Sequence, residues 1–146
     1  ASGEALVVLA QQERKARYRL DVCEAKAESS AGGWTITGAK QVVPVADQAD
    51  AFMVPAMAEG KLALFLVERT ASGVSTRGYH TQDGGRAGDL TLDKAPALLI
   101  TLEGQAALEH AVDIGIAATC AEAVGVMDKT LAITVDYMFE ITQEVQ

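Results

Sequence analysis

The sequence predicts an α+β chain: an antiparallel β-sandwich or barrel of six to eight strands, followed by one long C-terminal helix. Three observations carry this. Strand-length apolar or alternating runs recur roughly every ten residues through the first hundred positions, with no helical pattern between them. From about Leu102 the apolar period lengthens from two to between three and four, and it holds to the C-terminus. The charge changes at the same joint. Residues 1–100 hold 12 acids against 11 bases, a balance of -1, whereas residues 101–146 hold eight acids against Lys129 alone, a balance of -7. The expected organisation is a β-domain over 1–100 and an acidic, Ala-rich helix over 101–146.

Each element has its own signal. "EALVVLAQ" (4–11) reads as a buried strand. "RYRLDVCEA" (17–25) alternates Tyr18, Leu20 and Val22 with Arg19, Asp21 and Cys23, the period of a half-exposed strand. "AGGWTITGAKQVV" predicts a turn at Gly32–Gly33, Trp34 and Ile36 on one face, a second turn at Gly38 and a strand through Val43. Pro44 ends that ladder or places it at an edge. "DQAD" turns into "AFMVPAM", "EG" into "KLALFLVE", "TASG" into "VSTRGYHTQ", and "DGGRAGD" into "LTLD". Trp34 and Tyr79 read as packing residues, and Gly73 as a turn glycine.

The helix raises the main question. A stripe through Leu108, Val112, Ile116, Cys120, Val124, Met127, Leu131, Val135, Met138 and Val145 recurs at helical spacing. Ala107, Ala111, Gly115, Ala118, Ala121 and Gly125 line a second, small-residue face, and the acids are expected on the remaining one. Some 44 helical residues span roughly 65 Å, against roughly 35 Å for a globule of a hundred residues. The apolar stripe therefore continues past its own domain, and no Gly or Pro after Gly125 lets it fold back. The expectation is a homo-oligomer, a dimer as first guess, seamed by swapped antiparallel helices along the small-residue face. Its interface would draw on Val112, Gly115, Ile116, Val124, Met127, Leu131, Val135 and Met138.

Other function classes are disfavoured. A net charge of -8 argues against nucleic acid, which needs a basic patch. No charge-free run approaches the roughly 20 residues of a membrane span, and no leader is visible at Ala1; a cytoplasmic chain with reduced, buried Cys23 and Cys120 is expected. His80 and His110 lie on different elements without acids or cysteines at metal-ligand spacing, so no metal is expected. The Gly-rich 83–88 segment joins strands and opens no helix, which reads as a turn. Arg14, Lys15, Arg17 and Arg19 form a basic cluster suited to a solvated edge, to the acids of the helix, or to a CoA phosphate.

Four segments in order, "GGWTITGAK", "ADAFMVPA", "LALFLVERTASGVSTRGYHTQDGGRAGDLTLD" and the Ala-rich helix, together resemble the acyl-CoA dehydrogenase family. The nearest likeness is the small-subunit subgroup of dicarboxyl- or pimeloyl-type enzymes, with counterparts to "ERKARYRL", "RGYHTQDG" and "CAEAVGVM". The resemblance spans roughly residues 5–137. It implies a middle β-domain plus the first helix of the C-terminal domain, from a family that binds FAD and dehydrogenates acyl-CoA at the α and β carbons.

The resemblance also implies degraded cofactor positions. The family's Thr-Glu-Pro segment corresponds to Gln12-Glu13-Arg14, and its Trp-Ile-Thr to Val42-Val43-Pro44; the subgroup often lacks that Trp as well. Gln12, Glu13, Val43 and Pro44 are thus the cofactor-binding positions, with the flavin-bonding hydroxyls gone. The family's catalytic Glu lies in the late C-terminal region, beyond Gln146, or in a minority near Gly115. Asp113, two residues away, falls on another helix face and reads as a solvated acid, so no catalytic residue is named. Ile141 and Glu144 stand where Arg and Phe would reach FAD. The expectation is an acyl-CoA dehydrogenase-like ligand-binding or assembly module, not catalytic by itself and without bound cofactor. The alternatives are a piece or subunit of an FAD-dependent enzyme, with FAD if the site survives and a larger subunit as partner, and a structural oligomerisation protein without ligand.

Overall fold

The structure, a computed structural model, describes residues 3–144, with side chains through Glu140; Val145 of the apolar stripe lies outside it, and so do the side chains of Ile141 and Glu144. Seven strands and one helix follow in order: β1 (Val7–Leu9), β2 (Lys26–Ser30), β3 (Gly33–Pro44), β4 (Ala51–Ala58), β5 (Lys61–Glu68), β6 (Val74–His80), β7 (Arg86–Thr101) and α1 (Gly104–Glu144). The chain divides into two compact units, Ala1–Leu108 and Glu109–Gln146.

In the first unit, the pairings β4–β2–β3–β7–β5 return from β5 to β4 and close a five-stranded barrel. Long strands serve several neighbours. On β7, β6 pairs with residues 86–92 and β5 with residues 98–101. On β4, β1 pairs in parallel at Ala51–Met53, and β2 meets Met57, also in parallel. The expected barrel is therefore antiparallel except where β1 and β2 share the edge of β4. That edge has a gap at Val54–Ala56, and Pro55, which has no N–H to pair, sits in it.

The core is aliphatic and aromatic: Ile36, Phe52, Val54, Phe65, Val67, Leu90 and Leu92 are buried in one cluster. Trp34 packs on Phe65 with ring centroids 5.4 Å apart. At the end of the barrel strands, the first helical turn joins this unit, with Leu108 buried and Gly104 so close to the Ala63 backbone that a Cβ would clash at 2.7 Å.

Two predicted elements differ. Residues 17–25 form no strand. The chain turns through Glu13–Arg19, with Ala16 and Arg17 N–H donating to the Glu13 carbonyl; the Glu24 and Ala25 N–H groups go to the Glu13 carboxylate instead of a ladder. The strand begins one residue later, at Lys26, and its hairpin to β3 turns at Ala31–Gly32. Gly38 is no turn either. It lies within the twelve-residue β3, beside a bulge; a Cβ there would meet the Ala25 Cβ at 2.7 Å, so the close approach of β3 to residue 25 requires glycine.

Candidate functional site

The family-matched positions gather where the 12–18 turn meets a bulge in β3. Gln12 runs beside β3, its carbonyl accepting from the Gln41 N–H at 2.8 Å. The ladder of β3 with β7 shifts register between Lys40 and Val43. Val42 sits in that bulge at φ +52°, a strained conformation for a β-branched residue, with its side chain 50 % exposed. A cleft of about 270 Å³ lies over the bulge, lined by Gln12, Glu13, Arg14, Arg17, Tyr18, Gln41 and Val42. Tyr18 is 89 % exposed rather than facing a strand core. Of the basic cluster, Lys15 pairs with Glu24 at 2.7 Å and Arg19 with Asp21 at 2.6 Å. The pairs are local ones, not with acids of the helix. Arg14 and Arg17 make no ion pair among the described residues, and they give the cleft its positive character.

Beneath the cleft is a buried polar cluster. The Glu13 and Lys40 side chains, 3 % and 1 % exposed, pair at 2.7 Å. Lys40 Nζ also donates to the Pro55 carbonyl at 2.7 Å, filling the gap between β1 and β2. The Glu13 carboxylate accepts from the Glu24 N–H (2.5 Å), the Ala25 N–H (3.1 Å) and the Cys23 thiol (3.3 Å) as well. Burial pushes the Glu13 carboxyl up. The hydrogen bond and charge of Lys40, with the two backbone donors, outweigh that and hold it below its ordinary value. Burial raises the Cys23 thiol, which keeps it protonated and poorly nucleophilic at neutral pH.

The sequence-matched positions thus take different places. Gln12 lines the cleft. The Glu13 carboxylate is committed to the fold. Val43 points into the core, 1 % exposed, and Pro44 ends β3 on the surface, opposite Ala87. Sequence reasoning passed over Lys40, although it shares the inward period of Trp34 and Ile36.

A second polar cluster joins β6 and β7. Arg86 Nη2 donates to Asp47, and Nη1 lies 3.0 Å from His80 Nε2. Gly78 leaves room for Asp47, since a Cβ would meet its carboxylate. The Asp83–Gly85 segment is a turn, its Thr81, Asp83 and Gly85 bonded to one another. Among the described residues, no group of three or more His, Cys, Asp and Glu is placed to hold a metal.

In the second unit, every residue from Asp113 to Glu140 is exposed, Asp113 and the interface candidates Gly115, Ile116, Val124, Met127, Leu131, Val135 and Met138 among them; Val112 is half-buried. Cys120 is exposed rather than buried, and both cysteines are free. Apolar side chains extend beyond the single stripe: Ile114, Val126, Ile133, Tyr137 and Phe139 are exposed on other faces. Glu122, Lys129, Asp136 and Glu140 run along one polar line at helical spacing. Within Gly104–Glu140 the helix also contains an 18-residue window of mean hydropathy 1.3, long and apolar enough to cross a membrane by length and composition. Counting charge-free runs does not detect this.

The solved structures similar to this chain include a steroid ACAD, Tcur3481-Tcur3483, at 31% identity and TM-score 0.59, over 64% of this chain and 26% of that one. The ChsE4-ChsE5 complex from Mycobacterium tuberculosis matches at 26% identity and TM-score 0.57, over 68% and 26%. The chain carries an acyl-CoA dehydrogenase-like middle domain. A glutaryl-CoA dehydrogenase from Mycobacterium smegmatis, solved with FADH2, shares the fold at 19% identity and TM-score 0.61, over 68% and 26%. The acyl-CoA dehydrogenase-like chain spans about a quarter of the length of these solved relatives. No family profile and no curated sequence matches it.

Proposed function

We propose that this chain works as a binding and assembly module of the acyl-CoA dehydrogenase type and does not carry out flavin chemistry by itself. The observation that carries the reading is the make-up of the cleft. Where the resemblance expects hydroxyl donors to a flavin edge, the chain has the Gln12 amide, the aliphatic Val42 and Val43, and Pro44, which lacks an N–H. The Glu13 carboxylate is already engaged by four donors. These residues do not fit a flavin ring. Arg14 and Arg17 instead suit an anionic ligand such as a CoA phosphate, and the exposed apolar helix suits assembly.

The test is an equilibrium titration of the purified chain with FAD, read by flavin fluorescence, beside a calorimetric titration with coenzyme A. No saturation by FAD up to about millimolar concentration, a binding free energy weaker than about -4 kcal/mol, is the expected result. Saturable micromolar FAD binding would overturn it and favour the second reading, a subunit of an FAD-dependent enzyme. Two of the similar solved structures, Tcur3481-Tcur3483 and the ChsE4-ChsE5 complex, each join two differently named proteins and support that alternative.

A further inference from the structure

The buried cluster beneath the cleft brings a thiol, an amine and a carboxylate together from segments far apart in the sequence. Cys23 Sγ lies 3.7 Å from Lys40 Nζ and 3.3 Å from Glu13 Oε1, and that same oxygen accepts from Nζ at 2.7 Å. The other polar atoms at the sulfur are the Ala25 and Pro55 carbonyl oxygens, at 3.7 and 3.5 Å, which are not nucleophiles. Lys40 is buried, whereas Cys23 is only half-buried, so a small oxidant has a way to the sulfur. The amine is thus the one partner at the sulfur able to form a lasting bond with it.

Peroxide converts a thiolate to a sulfenic acid, and a sulfenic acid condenses with a nearby nitrogen to a sulfenamide. The cluster supplies each proton transfer. The thiol gives its proton to Glu13 Oε1 along their hydrogen bond, and Lys40 stands as counter-ion to the thiolate. The thiolate attacks one oxygen of hydrogen peroxide, the O–O bond breaks, and the departing hydroxide takes the proton back from Glu13 as water. Lys40 then passes a proton to Glu13, and its free amine attacks the sulfenic sulfur. The sulfenic hydroxyl leaves as water with a second proton from the nitrogen. Sulfur loses two electrons and the peroxide gains them. One thiol, one ammonium, one carboxylate and one peroxide become a sulfenamide, a neutral carboxyl and two waters. The cluster is neutral before and after, so no lone charge is stranded in the barrel wall. The competing backbone nitrogen, that of Glu24, is held by Glu13 Oε2 at 2.5 Å.

We propose that Cys23 and Lys40 form a covalent sulfur–nitrogen link driven by peroxide and reversed by thiols, which replaces the buried Glu13–Lys40 ion pair with neutral groups. The link ties the segment before β2 to β3 and leaves a neutral Glu13 at the lining of the cleft. Two molecules of a reducing thiol restore the Cys23 thiol and the Lys40 amine and depart as a disulfide. Burial raises the Cys23 thiol, so the first step is slow at neutral pH and quickens as pH rises. The link does not depend on the binding and assembly reading.

The test uses the full chain with Cys120→Ser, which removes the exposed second thiol. The protein is treated with excess hydrogen peroxide, quenched with N-ethylmaleimide under denaturing conditions, and mapped by trypsin and mass spectrometry. Residues 20–26 should be recovered joined to a fragment left uncut at Lys40, about 2 Da lighter than the two peptides together. Dithiothreitol should release both. The link should form at least about tenfold faster at about pH 9 than at about pH 7. Lys40→Arg keeps the charge without a nucleophilic amine, so dimedone should trap its Cys23 sulfenic acid and no link should form. Cys23→Ser should leave Lys40 fully cleavable. Undiminished cleavage at Lys40 in the treated parent, with Cys23 recovered as free thiol or sulfinic acid, overturns the proposal, and so does a blocked Lys40 in Cys23→Ser. A linked pair that keeps the peroxide oxygen, about 14 Da heavier than the two peptides, overturns the condensation step.

Discussion

Glu13 and Lys40 together make a stable element out of two groups that would each be costly to bury alone. Replacing one partner strands the other charge in the barrel wall, which costs about 3–5 kcal/mol. Glu13→Gln is therefore expected to lower the unfolding free energy by about that amount in urea titrations, and adding Lys40→Met should recover most of it. The same pair sets an acid dependence. The folded-state pKa of Glu13 is depressed, so its contribution is complete above the unfolded carboxyl value, about 4.3. It is lost as pH falls from there through the folded value. The midpoint of thermal unfolding should drop more steeply below about pH 4 for the native chain than for Glu13→Gln. Parallel pH curves for the two proteins would show that Glu13 is not linked to folding. This pair was only half legible in the sequence. Lys40 follows the inward period of Trp34 and Ile36, but its partner lies 27 residues away, across a turn that periodicity does not reveal.

At the scale of elements, the strong periodic signals held because nothing competed with them. β4, β5 and α1 stand where their apolar patterns place them. The failures have local causes. Alternation at 17–25 is real, but a side-chain carboxylate captures the backbone donors that a ladder would need. Gly38 has the composition of a turn and the role of a spacer, because sequence does not say which segment passes within van der Waals distance. Gly38→Ala forces a Cβ against Ala25 and should destabilise the barrel by about 1–3 kcal/mol, measured by chemical denaturation; a change under about 0.5 kcal/mol would mean that residue 25 moves away freely. On the helix, Met127→Asp places a charge in the middle of the large-residue stripe. It should weaken self-association at least about tenfold by sedimentation equilibrium, while the near-ultraviolet circular dichroism of Trp34 stays unchanged. An unchanged dissociation constant would remove Met127 from any interface.

For the whole molecule, the uneven charge sets opposite salt responses for the two activities proposed. The helical region carries -7, so two copies repel one another at long range. Raising ionic strength from about 0.01 M to about 0.1 M shortens the screening length from about 30 Å to about 10 Å. Self-association should therefore tighten across that range, and tighten again as pH falls toward the isoelectric point near 4.7. Ligand capture in the cleft should move the other way. Arg14 and Arg17 attract anions, and salt screens that attraction, so coenzyme A should bind more weakly at about 0.1 M than at about 0.01 M. Arg14→Ala with Arg17→Ala should flatten the ligand's salt dependence and leave that of the oligomer intact. If both equilibria weaken together with salt, the helix is held by charge pairs rather than by its apolar stripe.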